Sequence, residues 1–135
     1  MKNRVIIILW SILFAMLVTG GTEQGTIYLN WEIRLPFGGE LVYEADSGAS
    51  FHGDGQRYHV FRYESDEKLV DCLDWQEPSA DAAEAANSFL DKIDVPDEER
   101  PDFSQCSFWY GQREDSSEIY IFWGAVTLYV VEQNL

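Results

Sequence analysis

The residue types able to do chemistry are concentrated in one stretch, Asp46-Ser47-Gly48-Ala49-Ser50-Phe51-His52-Gly53-Asp54-Gly55-Gln56, preceded at two residues' distance by Glu44. Three chemistries suit these side chains. Asp46, His52 and Asp54 offer carboxylate and imidazole ligands for a metal ion, and glycines let backbone carbonyls approach it. Their spacing departs from the EF-hand loop, which needs alternating acids and a terminal glutamate. His52 beside Asp54 could serve as a proton shuttle, with Ser47 or Ser50 as nucleophile. That catalytic reading crowds every member into nine residues, whereas triads draw theirs from separate rigid elements. The third chemistry is recognition, in which Asp46, Phe51, His52, Gly53, Asp54 and Gly55 present a shaped surface to a partner. Against all three stands a self-structured loop. In it Gly48, Gly53 and Gly55 supply positive φ, Asp46 and Asp54 cap amides in Asx-turns, and Phe51 is tucked in.

Two strands must hold this loop. Glu40–Ala45 enters it and Tyr58–Glu64 leaves it, so the two are expected to pair as a hairpin with an unusually long connection. His59, Phe61 and Tyr63 on one side and Tyr58 and Val60 on the other give the second of these strands bulk on both faces, which places it inside the sheet. Its histidine then reads as a strand residue and not as a catalyst.

The run Phe51-His52-Gly53-Asp54-Gly55, after Tyr43 and Asp46 and before Tyr58, Val60 and Phe61, resembles a motif of small exported or membrane-anchored bacterial proteins of unknown function. The likeness covers residues 40–64. It implies that the loop is shared by such proteins, and it carries no activity to any residue.

Elsewhere, Thr26–Leu35 alternates without a fault, with Ile27, Leu29, Trp31, Ile33 and Leu35 on one face, which predicts a strand. Pro36 and the glycines after Phe37 end it. Ser65 caps a predicted helix through Leu73, although Glu67, Asp71 and Asp74 repel one another along its side. A second helix is predicted from Ser79 to about Ile93, with Ala82, Ala86, Phe89 and Ile93 as its apolar stripe. The acidic run around Asp97, Glu98, Glu99 and Asp102 reads as a solvated loop between Pro96 and Pro101. Three more strands are expected, at Cys106–Gln112, Glu118–Trp123 and Val126–Glu132, with turns at Glu114–Ser117 and Gly124-Ala125. The element order predicts an α+β, two-layer fold: an antiparallel β-sheet of about five to six strands with two helices on one face. Trp31, Trp75, Trp109 and Trp123 are its expected core anchors.

The start of the chain sets the expected compartment. Lys2 and Arg4 precede an apolar run, Val5–Val18, followed by Thr19-Gly20-Gly21-Thr22, the pattern of an export leader. The run is shorter than the roughly 20 residues of a spanning helix. Residues 1–21 are therefore read as a signal peptide cleaved after Gly20 or Gly21, or as an N-terminal membrane anchor. Residues 22–135 are read as one extracytoplasmic domain, secreted or anchored through residues 5–18.

Of 135 residues, 46% are hydrophobic and 15% aromatic, enough for one folded core. Without Lys2 and Arg4 the chain keeps 7 basic residues against 24 acidic ones, a net charge of −17. Such a surface repels nucleic acid and anionic headgroups, leaving the membrane within reach only through the N-terminal segment. No cofactor motif stands out. Cys72 and Cys106, both in the exported part, are expected to form a disulfide closing a 35-residue loop and contributing about 3–4 kcal/mol. Two buried thiols are the alternative.

The expected function is thus that of a small acidic binding module of the cell envelope, its partner a protein or another envelope component. A hydrolase or metal-dependent enzyme centred on His52 and Asp54 is the alternative.

Overall fold

A computed structural model of the chain describes residues 27, 31–48 and 55–135. The chain divides into two units, with the boundary between Phe37 and Gly38. In the first, Ile27 and Trp31 are helical, and residues 33–36 have no regular structure. At Ile27 and residues 31–35, the described part of the predicted strand Thr26–Leu35, no strand is formed. Perfect alternation also contains residues at i, i+4 and i+8, and among the described residues of this stretch Ile27, Trp31 and Leu35 are buried. Glu32, next to Trp31, has φ 57 and breaks either regular pattern.

The second unit is mixed α+β, built on one antiparallel five-stranded sheet. Its elements are β1 (Glu40–Asp46), β2 (Gly55–Arg62), helix α1 (Ala80–Asp91), β3 (Ser107–Gln112), β4 (Glu118–Gly124) and β5 (Thr127–Asn134). The spatial order is β1-β2-β5-β4-β3, so β2 is interior, as its double-sided bulk requires, and β1 and β3 are the edges.

Strand pairing sorts the side chains. Tyr58 and Val60 on β2, Val131 on β5, Phe122 on β4 and Phe108 on β3 share one core with Ala82, Ala83, Ala86, Phe89 and Leu90 of α1. Phe103 joins it, its ring 4.5 Å from that of Phe122 and 6.0 Å from that of Tyr129. The intervening residues Phe61, Ile119, Ile121, Leu128 and Val130 are buried as well, so the sheet excludes water on both faces.

Helix α1 forms where its start signals lie. Ser79, extended at φ −136, accepts a hydrogen bond from the Ala82 amide, and Asp81 occupies the first turn. It closes with Asp94 in the left-handed region (φ 55) and the Val95 amide donating back to the Leu90 carbonyl. Arg100 then ties the following loop to the helix. Its guanidinium donates to the Val95 carbonyl (2.7 and 3.1 Å), the Asp91 carboxylate (2.8 Å) and Asn87 (3.3 and 3.4 Å). The Tyr58 hydroxyl donates to the Glu99 carbonyl at 2.8 Å from below. The acidic run is the expected solvated loop, with Asp97, Glu98 and Asp102 exposed, and it carries a 3-10 turn at Asp97–Glu99 seated by Arg100 and Tyr58.

Two further expectations are corrected. The helix predicted from Ser65 to Leu73 is a set of turns, in which the amides of Leu69 and Val70 donate to the Asp66 carbonyl. Repulsion among Glu67, Asp71 and Asp74 weakens a helix there. The Asp66 carboxylate accepts from the Trp123 indole (2.9 Å) and the Val126 amide (2.8 Å) and so serves the sheet end instead of a helix. Of the four expected tryptophan anchors Trp31 is buried, but the other three are not among the innermost residues. Trp75, Trp109 and Trp123 are half-buried, while Tyr58, Phe61, Phe103 and Phe122 are almost wholly buried. Trp75 lies against Trp123 (5.6 Å between centroids) and donates to the Leu69 carbonyl, pinning segment 64–76 at that end of the sheet.

Gly124 pairs with Thr127, leaving a two-residue turn, Ala125-Val126, with φ 44 and 57. Positive φ at both positions is the type I′ geometry that fits the strand twist and favours Asn-Gly, and a β-branched residue there is strained. The Asp66 carboxylate on the Val126 amide and the Tyr63 amide on the Val126 carbonyl (2.7 Å) hold it. Replacing the pair by Asn-Gly (Ala125→Asn, Val126→Gly) should stabilise the protein by about 1–2 kcal/mol in urea unfolding. An unchanged or lower midpoint would show that the turn stores no strain.

Candidate functional site

Leu41 lies opposite Phe61, and two residues later Tyr43 lies opposite Val60, so Val42 is an extra residue in β1. This bulge inverts the side-chain parity. Before it Leu41 shares the face of Phe61; after it Tyr43 and Ala45 pack on the helix-side core, and Glu44 and Asp46 turn to the opposite face. Glu44 thereby meets His59, its carboxylate 3.8 Å from Nε2. His59 is buried on β2, stacked on Phe61 at 6.2 Å, and acts as a packed strand residue.

At the end of β1 the chain turns as the self-structured reading expects. The Gly48 amide donates to the Asp46 carboxylate at 2.8 Å, an Asx-turn, with Gly48 at φ 92. Gly55 has φ 116, and a Cβ there would collide with the Ser47 side chain. Only glycine fits. The Ser47 amide donates to the Gln56 carbonyl at 3.0 Å and closes the ladder. The loop is shorter than the sequence implies, because Gly55, Gln56 and Arg57 already belong to β2, opposite Asn134, Gln133 and Glu132. Of the predicted site residues, Asp46 and Gly55 are placed and stand at the two ends of this loop. Phe51, His52, Gly53 and Asp54 lie outside the described residues, and with them the predicted catalytic pair and two of the three predicted metal ligands. Among the described residues no group of three or more His, Cys, Asp or Glu side chains is arranged to hold a metal ion.

Pairing brings other polar groups to the same end of the sheet. Asp46, Gly55, Gln112, Glu118 and Asn134 all lie there, with the β3–β4 turn beside them. In that turn Arg113 donates to Ser117 Oγ (3.0 Å), Asn134 Oδ1 (3.4 Å) and Asp115 (3.4 Å). Asp115 accepts from the Ser117 amide at 2.9 Å, and hydrogen bonds from Ser117 hold its carboxyl below the usual range, with Arg113 adding to the effect. Ser117, Glu132 and Asn134 are buried, and Asn134 Nδ2 has no hydrogen-bond partner. On the helix side, burial pushes the Tyr110 hydroxyl up to about 12, reinforced by its 2.9 Å bond to Glu118. Sequence reasoning missed this polar group. The one available signal was the polar residues Gln133 and Asn134, which continue β5 past Glu132, where the strand end was expected.

Cys72 and Cys106 are both free thiols, so the expected disulfide is not present. Cys106 is buried beside the Asp102 carbonyl (3.5 Å from Sγ), and Cys72 sits in the turns of segment 64–76. Burial pushes the Cys72 thiol from its ordinary 9.0 up to about 11. It raises Cys106 too, with Asp102 adding to the effect. Among the described residues no helix is long and apolar enough to cross a membrane, and residues 1–21, the expected leader or anchor, lie outside them. Comparison with protein-family models, curated proteins and solved structures yields no match.

Gly55→Ala should destabilise the fold by about 1–3 kcal/mol, through positive φ together with the Ser47 collision. Gly48→Ala, with open space around its Cβ, should cost only about 1 kcal/mol from φ alone. Equal losses in urea unfolding would rule out the Ser47 collision. For the cysteines, thiol titration of the denatured chain should find two reactive groups. In the folded protein Cys72 alkylation should climb with pH toward 11, as its thiolate fraction grows. Since the folded state holds the proton more tightly, the stability linked to Cys72 is present below its ordinary 9.0 and lost as pH rises toward 11. Fast alkylation at neutral pH would contradict this placement.

Proposed function

We propose that the chain is an exported binding module of the cell envelope, engaging a protein or another envelope component at the loop-bearing end of the sheet. Asp46, Phe51, His52, Gly53, Asp54 and Gly55 form the contact surface in this reading, with the β3–β4 turn beside them. The observation that carries it is the burial of Ser117, Glu132 and Asn134 at that end, including an Asn134 amide nitrogen with no hydrogen-bond partner. Buried polar groups reduce stability unless satisfied, so their concentration where apolar residues would pack better marks an end of the sheet kept for function. The two glycines and the Asx-turn give the loop fixed points of departure, which preorganises a recognition surface.

The location outside the cytoplasm rests on the basic and apolar pattern of residues 1–21. We further infer a two-layer arrangement for residues 38–135, with α1 as the second layer over the face carrying Tyr58, Val60, Phe122 and Val131. The cluster these residues share with Ala82, Ala86 and Leu90 supports it.

The test compares the full chain with a His52→Ala/Asp54→Ala variant in capture from an envelope extract. The wild type should retain a component that the variant loses, at an unchanged melting temperature. Identical captures by the two proteins would end this reading.

A further inference from the structure

We propose that the outer edge of β1 takes up an extended, basic segment of another protein, which adds a sixth strand beside it. The proposal rests on the interaction-module reading and names the chemistry of the partner.

The sheet has two edges, and they are not equivalent. β3 is closed at Phe108 by Gln76, through paired backbone hydrogen bonds of 2.8 and 3.1 Å. Among the described residues β1 pairs with β2 alone. The Ser47 amide points at Gln56, so the alternation of an antiparallel ladder turns Ala45 and Tyr43 inward as well. Glu44 and Asp46 then direct their N–H and C=O groups away from the sheet. These backbone groups form a template for an incoming strand. The bulge at Val42 limits the regular stretch to Tyr43–Asp46.

The side chains along that stretch choose the occupant. Glu44 and Asp46 are exposed on one face, and Tyr43 and Ala45 pack toward the helix-side core on the other. In a segment laid against them, basic residues would lie beside Glu44 and Asp46, and apolar residues beside Tyr43 and Ala45. Its pattern is therefore basic–apolar alternation. Arg57 and Arg62 stand one strand further in, directly opposite Asp46 and Glu40, and partly offset those two acids, whereas Glu44 has His59 and no arginine across from it. A second copy of the chain is a poor occupant. Pairing two β1 strands would bring their carboxylates within the roughly 5 Å of cross-strand neighbours, where like charges repel. The same acids that disfavour self-association therefore favour a cationic strand.

The probe is a short peptide of alternating lysine and valine, with the glutamate–valine analogue as control, titrated against the full chain. The lysine peptide should bind, lose affinity with added salt, and slow hydrogen exchange at the Glu44 and Asp46 amides. The glutamate peptide should not bind. Glu44→Lys/Asp46→Asn, in which Asn keeps the Asx-turn, should weaken binding by about tenfold or more. No binding, binding without protection of those two amides, or unchanged binding by the double variant would overturn the proposal, as would a salt-resistant dimer. If the double variant still captures the envelope component that His52→Ala/Asp54→Ala loses, the interaction module stands and the β1 edge is not its contact.

Discussion

The ladder between β2 and β5 is the constraint on which the rest of the sheet depends. It runs for eight residue pairs without a break, from Gly55 opposite Asn134 to Arg62 opposite Thr127. A slip of β2 by one residue would exchange Tyr58 and Val60 for His59 and Phe61 in the core shared with α1, while β5 kept its own faces. Because both faces are buried, such a slip would be opposed on both sides at once. β4 and β3 then extend this parity outward on one side, carrying Tyr120, Phe122, Phe108 and Tyr110 to the same face as Val131.

On the other side the parity is broken, and the break shapes the candidate site. With a regular β1, Leu41 and Tyr43 would share a face. The extra residue Val42 lets each reach a different one, so Tyr43 meets Tyr58 edge-on at 5.9 Å while Glu44 reaches His59. The bulge therefore turns an alternating strand into one whose second half shows acids on the face where its first half shows Leu41. It also shortens the straight edge, a common protection against indiscriminate strand pairing.

How far the sequence announced this depends on the range of the interactions involved. Five of the six predicted strands exist and are found within a few residues of the expected bounds, because alternation and turn residues are local signals. Ser79 and Asp81 marked the start of α1 for the same reason. Local signals failed where two periodicities coincide, as at Ile27, Trp31 and Leu35, which satisfy both. They failed again at Ser65–Leu73, where Asp66 finds partners at Trp123 and Val126, some sixty residues away. The candidate site was legible only at its hinges. Asp46, Gly48 and Gly55 do what their types suggest, whereas Asn134, Ser117 and Arg113 meet only through the pairing of β2, β4 and β5. The cysteines show the limit of composition, since an even pair says nothing about where two thiols lie.

Charge connects these features. After the expected leader the chain has only seven basic residues, and Arg100 and Arg113 are among those engaged internally. The Arg100 side chain, 9% exposed, closes the C-terminal end of α1 through carbonyls and the Asp91 carboxylate. Arg113 braces the β3–β4 turn against Ser117 and Asn134. A guanidinium suits both tasks, since its several donors can serve carbonyls and carboxylates from one fixed plane. The cations that could have offset the acidic surface are thus partly withdrawn from it, and the outside is more negative than the composition alone suggests. Along β1 this excess lies beside backbone groups directed away from β2, and the proposed basic strand rests on hydrogen bonding and charge together.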